Sequence, residues 1–394
     1  MKVVRTALFV FILHLFLTHA SLAVGIQGGR GLPHTKAAWV MQKGHLTLLT
    51  HTSFWGKVHQ VKTVADDKTA YTIWDVQGLL SLNYGLGDHF GFFITPSFYK
   101  DVHRGEYEDY PWDTRIGLKI GSFGSKASSL SYGVELNARF PTGERHNILY
   151  HPYNAGSVGF GFTGLVSYAL DPLYPEDALN IHANLGYFHH NDVGDELTRE
   201  IAGLQNEVLH PTQEGFYALG FMIPTQSFDY TMEMYGNFWL QQPPETAAGR
   251  EVYSYFAASV VYKPYRWFDF IVSGEYRLTS NKEETVGPLR SPSSIPNYNT
   301  WRVNVGAKFV LLPTSVYRTS ERDILMQRAQ NRRELFEQII RDRRETESAE
   351  EELERIREER RKAERELERL RKILEGQKES SENLESLRQN LEPN

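Results

Sequence analysis

Between residues 44 and 312 the chain repeats one unit: about ten to thirteen residues in which apolar and polar side chains alternate, then a break rich in Gly, Pro, Asp or Asn. The breaks alternate as well, short then long. A period of two puts successive side chains on opposite faces of a strand. A soluble sheet must bury its apolar face. A closed ring whose outer wall meets lipid need not, and it carries tight turns at one rim and long loops at the other.

The alternation holds position by position. Trp301, Val303, Val305, Ala307, Phe309 and Leu311 oppose Arg302, Asn304, Gly306 and Lys308. Leu130, Tyr132, Val134, Leu136, Ala138 and Phe140 oppose Ser131, Gly133, Glu135, Asn137 and Arg139. Strands are expected near 44–56, 70–84, 89–100, 111–122, 129–141, 156–170, 178–190, 214–223, 228–241, 252–263, 268–280 and 299–312, of which the first fits the pattern least well. Breaks at 85–88, 123–128, 171–177, 224–227 and 264–267 are short; those at 57–68, 101–110, 141–156, 191–213, 242–251 and 281–298 are longer. The expected fold is therefore an all-β transmembrane up-and-down antiparallel β-barrel of about twelve strands, an even number as in bacterial single-chain barrels. A soluble sandwich is the competing architecture. Against it stand charges of both signs on the face opposite the apolar one, in strand after strand.

On these strands and loops the chain resembles bacterial outer-membrane β-barrel proteins, OmpA-like or porin-like, over about residues 24–312. The resemblance is one of pattern, without a diagnostic motif. It implies a bacterial outer-membrane location in a Gram-negative envelope, short turns and both termini in the periplasm, and the lipid bilayer as a partner. The peptidoglycan-binding domain that follows OmpA barrels is not recognisable here.

Other segments set the boundaries. Lys2 and Arg5 precede an apolar run from Ala7 to Leu17, and Ser21 and Ala23 are the small residues of a cleavage site. Residues 1–23 read as a secretory signal peptide, too short to span a bilayer. Residues 24–43 are expected to be a periplasmic N-terminal segment, 44–312 the barrel, and 313–319 a linker. Residues 320–394 form a charged helix or coiled coil, with Ser320 and Asp323 as an N-terminal capping signal. Ala349, Leu353, Ile356, Ala363, Leu367, Leu370 and Leu374 step by three and four like a coiled-coil seam. A solitary helix held by ion pairs such as Glu358–Lys362 accounts for the same charge pattern.

Little points to chemistry. There is no cysteine, and the net charge of −6 with no basic patch speaks against nucleic acid. The His, Ser and Asn signature of outer-membrane phospholipases is not met by His51-Thr52-Ser53-Phe54. His182, His189, His190 and Asp192 have metal-ligand chemistry, but an ordinary polar rim at the end of a strand is the better reading of them. No cofactor, metal site or catalytic residue is assigned.

What remains is the inward face. Asp113, Arg115, Lys119, Glu135, Arg139, Asp229, Glu233, Asp269, Glu275, Arg277, Arg302 and Lys308 fall on the polar register, and Asp75 joins them from a strand of less clear register. Charges in a narrow lumen must pair or be hydrated. The expected function is a non-enzymatic pore or passive transporter for small polar solutes. The alternative is a structural anchor whose periplasmic helix tethers a partner protein or the cell wall, or self-associates.

Overall fold

The computed structural model describes residues 24–62, 68–102, 108–109, 113–124, 128–143, 146–148, 150–172, 174–197, 207–286 and 296–314, and in the tail 326, 329–334, 336–341, 343–344, 350–365 and 368. Residues 1–319 and 320–394 are separate compact units.

In the first unit, thirteen strands form among the described residues: β1 (Leu46–Lys62), β2 (Lys68–Gly85), β3 (Phe90–Val102), the two-residue β4 (Glu108–Asp109), β5 (Thr114–Phe123), β6 (Leu130–Phe140), β7 (Gly159–Ala169), β8 (Asn180–His189), β9 (Gln213–Pro224), β10 (Phe228–Gln241), β11 (Ser254–Tyr265), β12 (Phe268–Arg277) and β13 (Trp301–Leu312). Each long strand pairs antiparallel with its neighbours in sequence, and β4 hangs on β3 alone. The ring closes where β1 meets β13, from Leu46 opposite Leu312 to Phe54 opposite Val303. Twelve staves thus make a closed antiparallel barrel with no free edge over its paired length, which satisfies the main-chain hydrogen bonds that lipid could not.

The two faces separate as the alternation requires. On β13, Val303 and Val305 are 45% and 43% exposed on the outer wall, while Lys308 is 2% exposed and turned inward. The same division of exposed apolar and buried polar side chains recurs on β11 and β12. A wall of exposed apolar side chains around a polar interior is the transmembrane kind.

Two expectations change. The break placed at 57–68 gives up residues 57–62 and 68 to the strands, because β1 and β2 stay paired out to Lys62 opposite Lys68. The first strand fits the alternation poorly because Trp55 points inward, packed with Ile73 and Tyr150 under the inserted loop that follows β6. The other change lies inside the barrel. Residues 24–41, read from the sequence as part of a periplasmic lead-in, run through the interior. Val24, Met41, Leu49, Val261 and Ile271 form one apolar cluster, and Ala37, Trp39 and Ala169 another.

In the second unit, the helical residues are 329–334, 336–341 and 350–365, with 326, 343, 344 and 368. Arg333–Glu337 and Arg360–Glu364 make i,i+4 ion pairs, each at 3.0 Å. Of the proposed seam, Leu353 and Ile356 are 53% and 58% exposed, and Ala363 is exposed as well. Ala349, Leu367, Leu370 and Leu374 lie outside the described residues. A long coiled coil is therefore not confirmed. Among the described residues no helix is long and apolar enough to cross a membrane.

Candidate functional site: the barrel lumen

The inward side chains meet in three tiers. Near the short-turn rim, the Lys263 ammonium is 2.5 Å from Asp229, Lys308 pairs with Asp269, and Arg30 donates to Glu176 of the 175–177 turn at 2.7 Å. At mid-height, Glu135 receives Lys36, and Glu233 accepts the main-chain N–H groups of His34 and Thr35 at 2.9 and 2.6 Å. Toward the long-loop rim, Arg302 is 3.5 Å from Glu275 and its guanidinium stacks over Tyr255. Arg139 is 3.8 Å from Asp113 there, Arg277 donates to Asn297 at 2.8 Å, and Arg115 to Gln27 at 2.7 Å. Opposite charges in contact are what low-dielectric surroundings demand; breaking one partner of such a pair leaves a charge that neither water nor protein compensates.

Two chain segments fill the space between the walls. The first is the loop of residues 141–158, folded inward over the long-loop end. His146 Nε2 is 3.0 Å from Asp113, which also accepts Asn154 Nδ2. His151 Nε2 is 2.9 Å from Asp75, whose other oxygen takes Asn299 at 2.6 Å. Burial drives the His151 pKa down to about 4, and the Asp75 carboxylate offsets this only in part. The imidazole is therefore neutral near pH 7. Tyr153 donates to Asp192 at 2.7 Å, and Arg139 reaches His190, which lies 3.3 Å from Glu214. Of the histidines singled out by the sequence, His190 is thus engaged in a hydrogen-bond chain that anchors the loops, while His182 bonds Ser167 on the wall and His189 stacks on Phe160.

The second is the N-terminal segment. It doubles back twice, with bridges joining Val24 to Arg30 and Gly31 to Lys36. At one tip, His34 stacks on Tyr235 with centroids 4.2 Å apart and sits 3.1 Å from Glu275. Burial works against its charge, but Glu275 and then Glu233 outweigh it and hold the His34 pKa above its ordinary value. From Lys36 to Val40 the chain descends toward the short-turn rim. Asn184 exchanges both bonds with Lys36, accepting its N–H at 2.6 Å and donating to its carbonyl at 2.7 Å. Ser167 accepts from Ala38 at 2.7 Å and Ser122 from Val40 at 3.0 Å. A bulge in the β5–β6 pairing between Ile120 and Phe123, with Ser122 at φ 59°, makes Ser122 available on the inner wall. Lys119 donates to the carbonyls of Arg30 and Ala37 at 2.6 and 3.1 Å.

The sequence reading did not single out the wall's neutral readers, Asn83, which accepts the Gly29 N–H at 2.6 Å, Ser122, Ser167 and Asn184, nor their partner segment. Asn184 and Ser167 do sit on inward registers of their strands. The clustered Gly28, Gly29, Gly31 and Pro33 are the only sequence sign that the segment turns tightly.

No protein-family model matches the chain, and no curated protein matches it in sequence. Among solved structures, the chain is similar to an outer membrane channel from Pseudomonas putida F1, at 8% identity and TM-score 0.44, over 70% of this chain and 98% of that one. It is also similar to the NanC porin, at 9% identity and TM-score 0.42, over 66% and 98%. The outer membrane channel DcaP of Acinetobacter baumannii aligns at 11% identity and TM-score 0.29, over 68% and 96%. At these scores the likeness decides nothing finer; this chain's own geometry carries its reading.

Proposed function

We propose that this protein is an outer-membrane channel that passes small polar solutes, with residues 24–41 closing its lumen at rest. One observation carries the reading: a closed barrel of twelve staves, apolar outside, encloses a wall of paired charges and neutral polar groups. At about twelve strands the interior lies between eight-stranded barrels filled by side chains and sixteen-stranded open porins. Here a separate chain segment occupies that room, held by ion pairs and hydrogen bonds at its two turns and along its length. A filler of this kind can leave without dismantling the ring, because the main-chain ladders of the staves do not involve it. The chain enters and leaves the ring at the short-turn rim, the periplasmic rim in bacterial barrels.

The test is conductance in planar bilayers. The full chain should conduct weakly. Arg30→Glu combined with Lys36→Glu sets acid against Glu176 and Glu135 and should raise conductance at least tenfold. Absence of solute or ion flux through both, in liposomes and in bilayers, would remove the channel reading.

A further inference from the structure

Most of the hydrogen bonds that seat residues 34–40 are made to main chain. The N–H groups of Lys36, Ala38 and Val40, at every second residue, go to Asn184 on β8, Ser167 on β7 and Ser122 on β5. Those of His34 and Thr35 go to Glu233 on β10. Asn184 also takes the Lys36 carbonyl, as a neighbouring strand would. Lys119 takes the Ala37 carbonyl, and the Ser122 main-chain N–H takes that of Ala38 at 2.8 Å. Ser167 is oriented for its part by His182, whose Nδ1 is 2.7 Å from Oγ. The wall is also cut to the shape of a backbone: a Cβ on Gly121 would stand 2.2 Å from the Ala38 carbonyl oxygen.

We infer that this wall is a track for peptide backbone, here one that bends at Ala38, and that the solute class it takes once residues 24–41 are displaced is a short oligopeptide. The inference rests on the channel reading above and deepens it. Backbone donors that face one side recur every two residues, up to about 6.6–6.8 Å apart in a fully extended chain. Neither a simple ion nor a sugar reproduces that spacing together with alternating carbonyls. Recognition through main chain tolerates many sequences, and the side-chain sites add a preference. The Lys36 ammonium reaches Glu135 and lies 5.1 Å from the Phe93 ring centroid, so a basic residue fits there. Ala37 and Ala38 are fully buried, so small residues fit after it.

The experiment uses the full chain carrying Arg30→Glu and Lys36→Glu in planar bilayers, with Ala38→Trp as a second way of unseating the segment should the first chain fail to fold. The probe is a synthetic heptapeptide of residues 34–40. It should block the current in a dose-dependent manner, and adding Asn184→Ala should weaken the block about tenfold, as expected for losing a paired donor and acceptor. The same peptide N-methylated at the positions of Lys36, Ala38 and Val40 keeps every side chain and loses the three donors; it should not block. Current that flows but is untouched by the heptapeptide, or is blocked equally by the N-methylated peptide or by a maltooligosaccharide of similar size, overturns the peptide track while leaving the channel standing. Absence of current in both unseated chains overturns the channel and the track with it.

Discussion

Glu135 is fully buried at mid-lumen and receives the Lys36 ammonium, with Lys119 close by. Truncating Lys36 to Ala leaves that carboxylate short of a partner, and uncompensated buried charges cost about 3–5 kcal/mol. Lys36→Ala should therefore lower the urea midpoint of the solubilised barrel, and Lys36→Ala with Glu135→Gln should recover most of the loss. Equal midpoints for wild type and Lys36→Ala would refute this. His34 gives the lumen a pH response. It faces Glu275 on β12, Glu233 and Tyr235 on β10, Arg302 on β13 and His51 on β1. Because its folded pKa is raised above 6.5, its stabilisation of the seated segment is complete below pH 6.5 and is lost as pH rises through the raised value. Conductance of the wild-type chain should climb with pH above 6.5, and His34→Asn should flatten that rise. A flat wild-type profile would count against this role for His34.

At the scale of elements, the staves and the segment obey different rules and call for different mutations. Val303 and Val305 face lipid from β13. A Lys at either position should destabilise the barrel by about 2–4 kcal/mol near the bilayer midplane, read as a lower urea midpoint in lipid vesicles, whereas the same change in detergent should cost less. Gly121 touches the segment only through space it leaves empty. Gly121→Val should keep the ring and expel residues 37–41, so that trypsin cuts after Lys36 and Lys43; a cleavage pattern identical to wild type would contradict the seating. The staves were legible because lipid on one side and polar groups on the other impose a period of two on every strand. The β1–β2 extension to residues 62 and 68 was not, since residues 57–68 read as a break and the inward Trp55 answers to loop 141–158. The N-terminal segment was hidden more deeply. Its bonds to the wall run from main chain to side chains 54 to 199 residues away, and such bonds leave no periodic trace in the segment itself.

At the scale of the molecule, the ring and the tail are separate compact units. A channel whose lumen is governed by residues 24–41 should conduct alike with and without residues 320–394, in both the closed and the unseated chain. Loss of the difference between those two chains on removing the tail would instead tie gating to the tail. The seat itself carries a consequence for biogenesis. Its contacts come from β2, β5, β6, β7, β8, β10 and β12, so no early hairpin can hold the segment. It can dock only once most of the cylinder has been laid down, which makes it the last part to find its place and leaves a hollow intermediate during insertion.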